Sequence, residues 1–331
     1  MLRREPTQAL RALLAAPPLT PAQRFVNNPT PAHSAPLFNE LRTSFLTSYL
    51  ERTPSCERAV CLLSQADARV HNDHVAFRSF EDSRGRSGLA FLQRLFLHFG
   101  YRSEERILIP AMPVNATWLE PPEETDWPKI FLSELRVREL PAAAAATIFG
   151  YIDGYYESAL VDAAIAADDP AALATTLEKP PWSVSSADEE TLRELGAEQP
   201  GLAAATEYAA WTLSHGHRIN HATILLNTLG LPAVDSLSTL NAMLRREGFV
   251  FNAAGGADGF TQGSLAVSLE QSSTIADEVQ KEFACGTTRS VRCSFLELIH
   301  RHDGFRGFLG QNAQGIFSST WAQRKSPAEP G

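Results

Sequence analysis

The sequence predicts an α+β fold in which two copies of a strand–helix–strands module build a β-sheet core, with a helical insertion between them. Three observations carry that expectation. A nine-residue stretch, Asn72-Asp73-His74-Val75-Ala76-Phe77-Arg78-Ser79-Phe80, reads as one apolar strand with chemistry on it. A second strand, Ile219 to Ile224 (INHATI), repeats its histidine. Each is followed by an amphipathic helix ending in glycine plus an aromatic residue: His74 stands 26 residues before Gly100, and His221 stands 27 before Gly248.

The elements follow in order. Residues 1–36 form an N-terminal arm whose first 24 residues, rich in Arg, Ala and Leu with Glu5 as the single acid, read as a frayed amphipathic segment with some likeness to an organellar transit peptide. The first module spans 37–141. It opens on a helical pattern (Leu37, Leu41, Phe45, Tyr49), continues through the His74 strand and the helix Gly88 to Gly100, and closes on the strand candidate Pro128 to Leu135. Gly100 and Gly248 fit the C′ position that ends a helix in the left-handed region. Residues 142–212 are Ala-rich and acidic with helical periodicity, broken by Pro170 and Pro180-Pro181. This insertion should pack on the modules, because Phe149, Tyr151, Tyr155, Tyr156, Trp182, Tyr208 and Trp211 supply burial area. The second module covers 213–325: the His221 strand, the helix Leu237 to Gly248, a turn at Ala253 to Gly259, and a late strand SFLELIH. Residues 326–331 read as a disordered tail.

Bulk properties narrow the function. At 331 residues the chain can bury a large core without disulfides. Cys56, Cys61, Cys285 and Cys293 show no metal or disulfide spacing and read as buried thiols in a reducing, cytoplasmic setting, organellar if the source is eukaryotic. The net charge of −9 and the lack of a basic cluster argue against nucleic acid or an anionic membrane as partner. No apolar stretch is long enough to span a bilayer. A small molecule is the default ligand.

Strand alternation puts His74, Ala76 and Arg78 on one face and Val75 and Phe77 on the other. Four residues of strand separate His74 and Arg78 by roughly 13 Å, room for a small acid between a metal ligand and an anion clamp. Taken alone, a His-x-x-x-Arg strand is better read as a core histidine and a surface ion pair. Duplication changes this, because His74 and His221 at equivalent places would meet across a pseudo-twofold axis. Glu297, on the apolar strand of SFLELIH, costs several kcal/mol to bury without a partner or cation. Two histidines and a carboxylate with open positions suit non-haem Fe(II). Glu134 of FLSEL, taken as the first-module counterpart of Glu297, is a competing ligand; a two-His, two-Glu set would favour Lewis-acid isomerase or lyase chemistry. His215 and His217, in a polar Ser-His-Gly-His-Arg turn, are expected to face solvent. His33, His71, His98, His300 and His302 have no repeat partner and are read as structural or exposed.

NDHVAFRSF, PKIFLSEL, INHATI, Leu269 to Asp277 (LEQSSTIAD), SFLELIHR and Gly315 to Ser319 (GIFSS) together resemble the 2-oxoadipate dioxygenase/decarboxylase family, also called hydroxyglutarate synthase. The likeness runs from about residue 37 to 320 and is closest to the shorter branch that includes plant members. It implies a vicinal-oxygen-chelate-like fold. It further implies Fe(II) held by His74, His221 and Glu297, with Arg78 binding the substrate acid. Contacts near the C-terminus would fall on Phe317 and on Ser318 or Ser319, and Gln271 would line the pocket. The implied reaction takes 2-oxoadipate and O2 to 2-hydroxyglutarate and CO2, with the substrate itself supplying the electrons. Two other readings stay open: a glyoxalase-like isomerase or lyase needing no oxygen, and a non-catalytic small-molecule-binding module of the same fold.

Overall fold

A computed structural model describes residues 7–15 and 34–320, apart from 111, 124, 158 and 254. The tail at 326–331, His33 and most of the N-terminal arm lie outside the described residues. The elements run α1 (Gln8–Leu13), α2 (Ser34–Arg52), α3 (Pro54–Gln65), β1 (Asn72–Phe80), α4 (Gly88–His98), β2 (Arg102–Leu108), β3 (Val114–Glu120) and β4 (Lys129–Leu135). Five helices follow: α5 (Ala142–Ile152), α6 (Leu160–Ala166), α7 (Pro170–Glu178), α8 (Ser186–Glu198) and α9 (Ala203–His215). The chain then forms β5 (Ile219–Leu225), α10 (Leu237–Arg246), β6 (Gln262–Ser264), β7 (Leu269–Ser273), β8 (Glu278–Glu282), β9 (Thr288–Arg292), β10 (Phe295–Arg301) and α11 (Gly310–Phe317).

The duplication is written in the sheet. Its order is β2-β3-β4-β1-β5-β10-β7-β6, so each half contributes four strands in mirror sequence. In both halves the first strand pairs parallel with the last (β1 with β4, β5 with β10), and the remaining pairings are antiparallel. The halves join along the antiparallel β1–β5 seam, where Ala76 stands opposite His221. Phe77 turns to the helix side, its ring 5.5 Å from Phe96 of α4, which leaves His74 and Arg78 for the other face.

The two module helices are built alike. Ser87 and Ser236 cap the N-termini of α4 and α10, each accepting from a backbone N–H three residues on. Gly100 (φ +85°) and Gly248 (φ +81°) follow the C-termini in the left-handed region. Next, Tyr101 and Phe249 tuck back into the core, their N–H groups returning to Phe96 and Leu244. The same local chemistry at both helix ends is why the repeat could be read from spacing.

The insertion does more than fill space. Helix α9 is buried along its whole length from Ala205. Tyr208 reaches Ser133 of β4, with oxygens 2.9 Å apart, and Trp211 Nε1 donates to the Cys293 carbonyl at 2.5 Å. The helix thus touches the first half of the sheet and the connection that leads into β10 of the second. A separate β8–β9 hairpin reaches back to the insertion, Ala284 N–H donating to the Val184 carbonyl. No helix among the described residues is long and apolar enough to cross a membrane. The thiols are not uniformly buried: Cys56 and Cys293 are enclosed, Cys61 is half-buried and Cys285 is exposed.

Candidate metal and substrate site

Three buried groups from three adjacent strands converge on the seam. His74 (β1), His221 (β5) and Glu297 (β10) offer ligand atoms that all lie within 4.8 Å of one another. His221 Nε2 stands 3.0 Å from Glu297 Oε2, and His74 Nε2 stands 3.8 Å from the same oxygen. Ligands at bonds of about 2.1 Å around one ion lie about 3.0 to 3.4 Å apart when adjacent, so the spacing suits a single cation. Register explains the convergence: Phe295 pairs with His221 and Glu297 with Thr223, which places Glu297 one pleat along from His221 on the same face.

The outer ring nitrogens are already committed. His74 Nδ1 lies 2.8 Å from Asp73 Oδ1, and His221 Nδ1 lies 3.1 Å from Asn220 Oδ1. Carboxylate and amide oxygens accept only, so both rings carry their proton on Nδ1 and turn the Nε2 lone pair inward. Thr223 Oγ1, 3.1 Å from His74 Nε2, donates to that lone pair in this arrangement. Burial holds His221 below the ordinary imidazole value against the pull of Glu297. Burial would raise the Glu297 carboxyl, but His221, His74 and the Gln271 amide, which donates at 2.6 Å, outweigh it and keep it ionised. Two imidazoles facing a buried carboxylate form a set that a divalent cation completes.

Outer support differs between the halves. Asp73 is clamped by Arg301, whose Nε and Nη2 each donate at 2.8 Å. Burial opposes ionisation of Asp73, yet the guanidinium wins and holds the carboxyl well below its ordinary value. Asn220 has no such cation among the described residues. Arg301 follows Glu297 by four positions on the same strand, a spacing that marks one face, so its place was available from alternation alone.

Arg78 is 2% exposed, and none of its three guanidinium nitrogens has a hydrogen-bond partner among the described residues. Its charge lies over three rings instead, at 4.9 Å from Tyr208, 4.9 Å from Trp211 and 5.1 Å from Phe317. Burial pushes its pKa down to about 10, which leaves it charged near neutrality. Glu207 acts on this charge electrostatically but without a hydrogen bond; a buried guanidinium with no hydrogen bond is costly, and an anionic ligand would relieve it. A small cavity of about 20 Å³ is lined by His74, His221, Glu297 and Gln271 on its polar side and by Phe131, Phe308, Leu309, Ala313, Ile316 and Phe317 on its apolar side. Phe317 both lines this cavity and packs its ring against Arg78.

Gln271 and Phe317 therefore lie at the cavity, while the two serines sit beside it. Ser318 is half-buried and donates to the Gly315 carbonyl at 2.6 Å. Ser319 is fully buried, its hydroxyl 2.6 Å from that of Ser273, and Asn252 donates to both serines.

Two expectations are corrected. Glu134 is not the counterpart of Glu297: His74 pairs with Lys129 as His221 pairs with Phe295, so position 131, a phenylalanine, corresponds to 297. Glu134 instead sits at the N-terminus of α4, bonded to the Ser87 hydroxyl and the Leu89 N–H, where the helix dipole and orphan donors favour an anion. The four-ligand arrangement loses its fourth member. His215 and His217 are not exposed but fully buried. His217 is enclosed by Phe91, Tyr155, Tyr156 and Trp182, and its Nδ1 lies 3.0 Å from the Arg78 carbonyl.

Residues 47–303 match the family model described as 2-oxoadipate dioxygenase/decarboxylase. The chain belongs to the 2-oxoadipate dioxygenase/decarboxylase family. It is 30% identical to the chloroplastic 2-oxoadipate dioxygenase/decarboxylase of Arabidopsis thaliana, over 85% of this chain and 76% of that protein. A rice relative of the same name, chloroplastic or amyloplastic, is also 30% identical, covering 96% and 86% respectively. The rice hydroxyglutarate synthase solved in complex with 2-oxoadipate superposes with a TM-score of 0.72 at 28% identity, over 89% of this chain and 96% of that one. A Ralstonia eutropha protein described as of the glyoxalase superfamily shares the fold, with a TM-score of 0.67 at 20% identity over 91% and 93%. The chain is thus a family oxidoreductase on a vicinal-oxygen-chelate-like scaffold, which sets aside the reading as a non-catalytic module.

Proposed function

We propose that this enzyme converts 2-oxoadipate and O2 to 2-hydroxyglutarate and CO2, with Fe(II) held by His74, His221 and Glu297. The observation that carries the reading is Arg78, a buried guanidinium with no hydrogen-bond partner among the described residues, four positions along the same strand from His74 of the two-imidazole, one-carboxylate set. The family membership and the rice structure's 2-oxoadipate support the choice of acid. Bound Fe(II) would supply oxygen activation at positions the three protein ligands leave open.

The protein's own groups handle binding and orientation. Arg78 takes the distal carboxylate of the dicarboxylic acid in a charge-assisted, bidentate pair, which fixes the carbon chain relative to the ligand triad. Phe317 must shift for that pair to form, and its backbone with the half-buried Ser318 borders the bound acid; Ser319 holds Ser273 from behind. Gln271 keeps Glu297 aimed, while Phe131 and Phe308 exclude water. Asp73 and Asn220 keep the Nε2 lone pairs of the two histidines turned inward. Four cysteines without a disulfide suit a reducing compartment.

The test is anaerobic reconstitution with Fe(II), followed by oxygen-uptake measurements over C4 to C8 2-oxo acids. Uptake with 2-oxoadipate, matched one for one by CO2 and 2-hydroxyglutarate, is expected. Turnover without oxygen uptake would overturn the proposal in favour of isomerase or lyase chemistry.

A further inference from the structure

A second cluster of ligating side chains lies on the opposite face of the β7–β10 pair. Glu270 stands directly across the ladder from His300, and His302 follows two residues later, its N–H returning to the Ser268 carbonyl. Alternation therefore puts all three on one face, away from Gln271 and Glu297. His302 Nε2 is 2.9 Å from Glu270 Oε2, His300 Nδ1 is 3.5 Å from the same oxygen, and the two rings are 4.0 Å apart at their centroids. The three ligand atoms lie within 4.8 Å of one another.

An ordinary ion pair between Glu270 and His302 explains only part of this. It leaves His300 Nδ1 buried and without a hydrogen bond, aimed at an oxygen already in use. Adjacent ligands on a tetrahedral ion with bonds of about 2.1 Å lie about 3.4 Å apart, and the observed separations bracket that value. The side chains are also reachable, being 15 to 24% exposed, so an ion can enter without unfolding and water can complete its coordination.

We propose that Glu270, His300 and His302 form a second, outer metal site that takes a divalent cation of borderline softness, of the Zn(II), Ni(II) or Cu(II) class. It is chemically distinct from the inner set: open to solvent, built within one half, and free of any substrate-facing group. Glu270 neighbours Gln271, whose amide holds Glu297, so an ion at the outer site braces the strand that aims the inner carboxylate.

Equilibrium dialysis of the metal-free full chain against Zn(II), with the bound metal counted by elemental analysis, tests this. Wild type should hold two equivalents. H300A/H302A should hold one, retained by the inner site, and H74A/H221A should hold one, retained by the outer site. An undiminished count in H300A/H302A overturns the proposal, as does a wild-type count of one that H74A/H221A abolishes. A wild-type count of one that only H300A/H302A abolishes would instead leave the outer site standing and sink the inner ligand set. If H300A/H302A loses its circular dichroism, the milder Glu270→Gln decides: loss of one equivalent supports the site and an unchanged count ends it.

Discussion

Arg78 and Asp73 show how much depends on single side chains at this centre. A guanidinium presents a rigid planar fork, whereas an ammonium is a point charge, so Arg78→Lys keeps charge but would lose the proposed bidentate pair with the acid. A charge-assisted hydrogen bond contributes about 1.5 to 3 kcal/mol, so kcat/KM for the dicarboxylic acid should fall on the order of 10- to 100-fold. Steady-state kinetics on 2-oxoadipate check this, and an unchanged kcat/KM would remove Arg78 from substrate binding. Asp73 acts one step back. Asp73→Asn removes the anion that Arg301 clamps and that orients His74, and outer partners of this kind are worth about 10- to 100-fold in metal affinity. Competition with a chelator of known strength measures it; equal affinity in the variant would make the Asp73–His74 contact merely structural.

At the scale of elements, the turn between α9 and β5 carries an unexpected dependence on pH. Burial among aromatic rings pushes His217 down to about 4, so it is neutral in the fold at every pH where an unfolded chain's histidine begins to charge. Between about 6.5 and 4 the unfolded state binds a proton that the folded state refuses, so this residue's stabilisation is present above that window and is lost as pH falls through it. His217→Gln should lack that contribution. Urea denaturation at pH 7 and pH 5 should find that the wild type loses about 2 kcal/mol more than the variant. Parallel losses in the two proteins would mean the ring titrates normally. The same turn marks a limit of sequence reading. Ser-His-Gly-His-Arg looks polar and exposed, and what buries it comes from Phe91, Tyr155, Tyr156 and Trp182, all distant in sequence. Strand β1 was legible to its ends because alternation and composition are local. The pairing of Glu134 with Glu297 misled for the opposite reason: FLSEL and FLELIH look alike, but parallel register is set by neighbours, and it places Phe131 at the carboxylate's position. The role of α9 was visible only as apolar bulk; that Tyr208 and Trp211 flank Arg78 follows from how the insertion folds over the sheet.

For the whole molecule, the proposed ligand set divides between the halves: His74 comes from the first, His221 and Glu297 from the second. Binding an ion there should therefore stabilise the assembled fold, by about 2.7 kcal/mol when free metal is 100 times its Kd. Under anaerobic conditions Fe(II) should raise the melting temperature of the wild type by several degrees. His74→Ala should lose most of that rise although only one half is altered. A full shift in the variant would place the iron elsewhere. The seam that makes this coupling has a further consequence during synthesis. His74 and Thr223 meet across β1 and β5 although they are 149 residues apart in the chain. At about 5 to 20 residues per second, a ribosome needs about 7 to 30 s to make the intervening chain. Through that interval the emerging first half can close β1 against β4 but has nothing to cover its other edge. A nascent chain with an open, apolar strand edge is an invitation to wrong partners. The β1 edge of the N-terminal half is thus open to other strands until β5 leaves the exit tunnel.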